Sequence, residues 1–199
     1  MTLRVAVLVS GRGSNLQALL DACARGTLNA RVVYVASNHP GVMALERAGR
    51  VGIAHGVFEA EQVKGGRAAA QSRMADAVLE HRPDLIVLAG FDRIFEDVMF
   101  DKLGHLPMLN IHPSLLPRHG GPGMLGDRVH EAVLASGDVE SGCTVHRVQR
   151  GAVDGGEIVV QRRVPVLPGD TPHALAERVL AEEHRALVEA VRLVERGEA

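Results

Sequence analysis

Cysteine is scarce: only Cys23 and Cys143 occur in 199 residues, too few for a thiolate zinc site. Their apolar neighbours suit buried free thiols in a reducing compartment. An excess of either charge is missing too. Lys and Arg number 22 against 24 Asp and Glu, a formal charge of -2, so no global field gathers nucleic acid or an anionic membrane. Any anionic ligand must be held locally. Long hydrophobic runs are also absent: the first apolar run stops at Ser10-Gly11, too short for a secretory signal, and no later run reaches the thickness of a bilayer. The expectation is a cytoplasmic protein. With 46% hydrophobic and 23% charged residues, the chain can bury a full core, and without repeats or linkers 1–199 is expected to be one domain.

The stretch Leu109-Asn110-Ile111-His112-Pro113-Ser114-Leu115-Leu116-Pro117 places an amide, an imidazole and a hydroxyl at the exit of a short buried strand. Pro113 ends that strand by removing a ladder donor and turns His112 away from helix. Asn110 and His112 are two apart and project from one side. Together they offer a neutral donor for an oxyanion and a ring that exchanges a proton near neutral pH. An Asx-type turn with a satisfied histidine fits these residues equally well.

Residues 4–9 form a run that is apolar after Arg4 and rich in β-branched valine, as in a parallel strand buried on both faces. Ser10-Gly11-Arg12-Gly13-Ser14-Asn15 follows as a glycine-rich turn, and Leu16, Leu19, Leu20 and Cys23 recur at helical spacing until Gly26. Strand, glycine loop and helix start make an anion cradle suited to a phosphate monoester. It is neither a dinucleotide fingerprint nor a Walker loop, because Leu16 stands where a third glycine belongs and no Gly-Lys-Ser/Thr occurs. Strands over 31–37 and 53–58, helices over 41–48 and 68–81, and a buried strand over 85–89 continue a βαβ pattern. In open α/β sheets ligands bind at the carboxyl ends of strands, so the loops 11–15, 90–95 and 110–117 are expected along one edge.

Residues 118–127 are glycine-rich and aperiodic, a rim loop suited to movement. Asp127 is read as the cap of a helix that stops near Gly137. Strands over 142–148 and 157–164 flank a hairpin-like connection, 150–156, in which Asp154 has the ordinary reading of a solvated turn aspartate. His146 reads as structural, Arg162-Arg163 as a solvated strand end, and Glu182-Glu183-His184 as the wet face of a last helix that begins at Asp170-Thr171-Pro172.

Five stretches taken together resemble the glycinamide ribonucleotide formyltransferase family: residues 10–19, Leu88-Ala89-Gly90-Phe91-x-Arg93-Ile94, residues 109–117, Gly142-Cys143-Thr144-Val145-His146 and Val153-Asp154-Gly155-Gly156. The resemblance runs from Val5 through the last helix. It implies a Rossmann-like α/β fold with a mostly parallel seven-stranded sheet flanked by helices. It implies transfer of a formyl group from 10-formyltetrahydrofolate to the amine of glycinamide ribonucleotide in purine synthesis, without a metal. By motif, Asn110, a protonated His112 and Asp154 resemble the catalytic trio. Gly13, Ser14 and Asn15 match the phosphate loop, and Glu183 a contact to the glycinamide end. Arg67, Asp92, Arg93, Ile94 and Phe95, with Asn110 and the connection 148–154, fall on the folate side, Arg67 toward the glutamate tail. Asp92 departs from the methionine of familiar members, the loop 118–127 is longer than in some, and prolines common after the Glu-His pair are missing. The implied partners are the two small molecules, with no nucleic acid or membrane, and the family allows monomer or homodimer. A formyltetrahydrofolate hydrolase with the same trio and a non-enzymatic nucleotide-binding module are the alternatives. The module leaves the trio unused, and transfer to a tRNA would call for a basic surface.

Overall fold

A stretch of strand made only of apolar residues has no face to give to water, and in β1 (Leu3–Val9) every residue after Arg4, from Val5 to Val9, is buried. The computed structural model describes residues 1–199. After β1 come α1 (Ser14–Ala24), β2 (Ala30–Ser37), α2 (Met43–Arg50), β3 (His55–Val57), α3 (Gly66–Glu80), β4 (Leu85–Leu88), α4 (Asp97–Leu103), β5 (Met108–His112), α5 (Asp127–Ala135), β6 (Glu140–Arg147), β7 (Ile158–Pro165) and α6 (Pro172–Glu195). The seven strands are ordered β3-β2-β1-β4-β5-β6-β7. β1 pairs in parallel with β2 and β4, β2 in parallel with β3, and β6 antiparallel with β7. This is the α/β, mostly parallel sheet expected from the alternation of strands and helices.

The chain divides into two compact units, Met1–Leu109 and Asn110–Ala199. In the first, β1, β2 and β4 supply the buried centre, with Leu16 and Leu19 of α1 and Met74 and Val78 of α3 fully enclosed. In the second, α6 packs on β6 and β7 and against α5. Its start is fixed locally: Pro172 takes the first helical turn, and the Thr171 hydroxyl accepts the Ala174 N–H at 3.2 Å.

Three elements differ from their expected form. β3 is shorter than 53–58 because the Ile53 N–H turns back to the Ala48 carbonyl at the end of α2, 2.9 Å away. α4 was not legible, since its seven residues give under two turns of period; Met99 and Leu103, four apart, carry its buried side. α5 starts after Gly126, whose backbone (φ 56°, ψ -133°) is open to glycine alone, so Asp127 is its first residue and not its cap.

On α6 the stripe Leu175, Val179, Glu183, Ala186, Leu187, Ala190 and Val191 is buried, while Val188 is half-buried. Leu187→Ala should therefore cost about 2–5 kcal/mol of stability and Val188→Ala about 1 kcal/mol or less. Urea denaturation of both variants checks this, and equal losses would contradict the stripe.

Candidate active site

In the first unit, the parallel pairing of β1 and β4 sends the loops 10–15 and 90–95 out of the same sheet end. Gly13 (φ 71°) leads into α1, and a Cβ there would lie 2.6 Å from that of Ala44, so only glycine lets the loop pass α2. Ser14 begins α1 and no side chain caps it, which leaves first-turn N–H groups to bind an anion. Asn15 is buried and Ser14 half-buried beside it.

The loop 90–95 is tied to this turn through Asp92. Its N–H donates to the Ser10 hydroxyl at 2.9 Å, Ser10 donates to the side-chain Oδ1 of Asn38 at 2.6 Å, and Asn38 Nδ2 donates to the Asp92 carboxylate at 2.8 Å. His39 Nε2 meets the other carboxylate oxygen at 2.7 Å. Burial pushes the Asp92 carboxyl up, but His39, Asn38 and Arg93 more than offset it and hold it below its usual range. Ser10, Asn38, His39 and Asp92 thus make a polar knot. Arg93 and Ile94 are exposed, and Phe95 packs edge-on to Phe91 and Phe100. Arg67, in the first turn of α3, is ion-paired with Glu96.

In the second unit, Asn110 and His112 project from β5 as the two-residue spacing requires, and Asp154 meets both. Asn110 Nδ2 lies 3.4 Å from Asp154 Oδ1, and His112 Nδ1 lies 3.5 Å from Asp154 Oδ2. Asp154 therefore is not a solvated turn residue. Its backbone is left-handed (φ 54°), a conformation that aspartate tolerates better than most side chains, and the following turn needs Gly156, where any Cβ would collide with the Arg147 carbonyl. Asp154 Oδ2 also accepts the Gly121 N–H at 2.9 Å.

A fourth residue belongs to this cluster. His146 Nδ1 faces the Arg147 carbonyl at 3.0 Å, so it carries the proton, and Nε2 is left to accept from Asn110 Nδ2 at 3.1 Å. Nε2 is also 3.5 Å from Asp154 Oδ1. The alternation of β6, which puts Thr144 and His146 on one face, was the available signal. It does not say that the face meets Asn110.

His112 is 3% exposed. Its Nε2 lies 2.8 Å from the His119 carbonyl, which can only accept, so Nε2 holds the hydrogen and Nδ1 turns a lone pair toward Asp154. Burial lowers the pKa of the ring, against the opposing pull of Asp154 and the His119 carbonyl, and the net position is below an ordinary histidine. Burial thus works against the resident imidazolium implied by the resemblance, while Asp154 and the His119 carbonyl work for it. Asp154 is pushed up by burial, but His146 as a donor and His112 as a charge, each when protonated, together with the Gly121 N–H bring it below the usual carboxylate range.

Two further readings change. Arg162 is bound by Glu182 (3.3 Å) and Glu189 (2.5 Å) of α6, so it is no solvated strand end. Glu183 is buried, so the Glu-Glu-His run is not simply a wet face. Cys143 is buried and free, its thiol pushed up to about 12 by burial and by the Glu183 and Glu182 carboxylates. No group of three or more His, Cys, Asp and Glu side chains is placed to hold a metal ion, and no helix is long and apolar enough to cross a membrane.

Known proteins share this arrangement of sequence and fold. The trifunctional purine biosynthetic protein adenosine-3 of Bos taurus is 42% identical over 194 residues, which cover 98% of this chain and 18% of that protein. The chain thus spans less than a fifth of that relative. Phosphoribosylglycinamide formyltransferase of Escherichia coli (strain K12) is 38% identical over 182 residues, covering 92% of this chain and 82% of that one. Among solved structures, glycinamide ribonucleotide transformylase 1 from Symbiobacterium toebii superposes with a TM-score of 0.89 at 40% identity, over 98% of this chain and 89% of that chain. The family model described as formyl transferase matches residues 3–191, and with nearly its whole length inside that match the chain belongs to the formyl transferase family.

Proposed function

We propose that the chain moves the formyl group of 10-formyltetrahydrofolate onto the amine of glycinamide ribonucleotide, giving formylglycinamide ribonucleotide for purine biosynthesis. The observation that carries this reading is the buried corner in which Asn110, His112 and Asp154 lie within 3.5 Å of one another's polar atoms through Asp154. The choice of substrates is supported by relatives named for that ribonucleotide. We take 1–199 as one formyltransferase domain, in keeping with a family match over 3–191.

In the reaction the amine nitrogen bonds to the formyl carbon and the carbonyl oxygen becomes an oxyanion. When the oxyanion collapses, the bond from that carbon to folate N10 breaks, and the proton lost by the amine ends on N10. Asn110 Nδ2 is the oxyanion donor. Its 3.4 Å contact to Asp154 is the longer of its two and the one it gives up. His112 and Asp154 receive the amine proton: a neutral ring beside a carboxylate has room for one, and the carboxylate stabilises the imidazolium that results. Water carries the proton on to N10. No step passes through a metal.

The phosphate rests on Gly13, Ser14 and Asn15, and Glu183 holds the glycinamide end. On the folate side, Asp92, Arg93 and Phe95 shape the loop. Ile94, 51% exposed, offers an apolar surface to the pterin, and Arg67 takes the glutamate tail in place of Glu96. The cytoplasm is where both small molecules meet the protein, as monomer or homodimer, with no nucleic acid or membrane partner.

Purified protein should consume 10-formyltetrahydrofolate rapidly only when glycinamide ribonucleotide is added, with formylglycinamide ribonucleotide formed in equal amount. Formate release that is independent of the ribonucleotide would make it a hydrolase. His112→Ala should lower kcat by about 100-fold or more with little change in either KM; an unchanged kcat would return His112 to a structural role. Ser14→Asp places a negative charge in the phosphate cradle. It should raise the KM for glycinamide ribonucleotide by about tenfold or more and leave that for the folate alone. Equal losses for both would mean that the loop had collapsed.

A further inference from the structure

The segment 118–121, read from sequence as a mobile rim, is bonded to both titrating groups of the proposed reaction. The His119 carbonyl accepts the His112 Nε2–H at 2.8 Å, and the Gly121 N–H donates to Asp154 at 2.9 Å. The Arg118 carbonyl accepts from the hydroxyl of Ser114, two residues beyond His112, at 2.6 Å. The inner side of this segment is therefore all main chain, and no side chain of its own holds it there.

Its outer side is held by a single carboxylate. Asp138, in the turn after α5, takes the Arg118 guanidinium on Oδ1 and the His119 ring Nε2 on Oδ2, the latter at 2.7 Å. The Asp138 side chain is 9% exposed and that of His119 14%, so water does not readily replace either partner. His119 is moreover left-handed, at φ 53°. A non-glycine residue stays in that conformation when its surroundings hold it, and here the conformation sets where its carbonyl points.

We propose that Asp138 is a positioning residue for formyl transfer: by gripping Arg118 and His119 it keeps the His119 carbonyl on His112 Nε2 and so fixes which nitrogen of the catalytic ring carries hydrogen. With Nε2 committed to the carbonyl, Nδ1 presents its lone pair toward Asp154 and can take a proton. With the carbonyl gone, the ring places its hydrogen on Nδ1, where the Asp154 carboxylate accepts it, and the proton acceptor is lost. Arg118 and His119 together hold the carboxylate ionised, the His119 bond foremost, so the grip persists through neutral pH. The proposal rests on the reading that His112 and Asp154 carry the reaction.

The test combines ring 15N spectra of the whole protein with steady-state kinetics, the His112 signals being assigned by their loss in His112→Ala. Wild type should show His112 as the Nε2–H form. Asp138→Ala should move it toward the Nδ1–H form and lower kcat at least tenfold with both KM values within about twofold, and Asp138→Asn, which keeps one acceptor, should fall between. If Asp138→Ala does not fold, His119→Asn serves: asparagine tolerates the left-handed backbone but is too short to reach Asp138, and the same shift and kcat loss are expected. An unchanged His112 spectrum in a folded variant overturns the proposal, as does a changed spectrum with unchanged kcat. A wild type that transfers no formyl group overturns the functional reading instead, and the spectra then still report whether Asp138 sets the ring.

Discussion

A carboxylate that stays ionised away from water needs donors on several sides, and the second unit is arranged to give them to Asp154. The Gly121 N–H and the Asn110 amide donate to it at 2.9 and 3.4 Å, and the rings of His112 and His146 lie 3.5 Å away, where each donates once it is protonated. They come from the loop after β5, from β5 itself and from β6. Bringing them together fixes the register of the corner that carries Asp154, and the corner in turn requires a left-handed aspartate and a glycine pressed against the Arg147 carbonyl.

The same burial works in opposite senses on the two partners. It disfavours charge on both, yet the groups around Asp154 more than offset it and hold that carboxyl below its usual range, while for His112 burial outweighs Asp154 and the His119 carbonyl and leaves the ring below an ordinary histidine. The balance favours a pair with one negative charge and one vacant proton site. A donor amine that sheds a proton on attack finds the acceptor already in place, so little rearrangement is asked of the protein during the reaction.

The strands were legible wherever a run had no polar interruption: β1 and β4 follow from composition alone, and β6 from strict alternation. Asn110 and His112 were legible as a pair because a strand of period two settles which side each takes. Asp154 was not, since an Asp-Gly turn is ordinary chemistry wherever it occurs, and only the resemblance singled it out. His146 and Asp138 escaped for a related reason. Each acquires its role from residues far away in sequence, and no local pattern encodes that Arg118, His119 and Asp138 converge. Asp92 stood out against the resemblance, but no local pattern showed that Asn38, His39 and Ser10 bind it.

That knot bears on how the chain can change over evolutionary time. Asp92 is the shared partner of Asn38 and His39, and its own N–H donates to the Ser10 hydroxyl. Replacing it alone with methionine would strip two neighbours of their acceptor and set a thioether against polar groups. Replacing Asn38 or His39 alone would take a partner from the carboxylate. The four positions thus form an epistatic unit: each changes at least cost together with its partners, and Asp92 is retained by its neighbours as much as by any ligand.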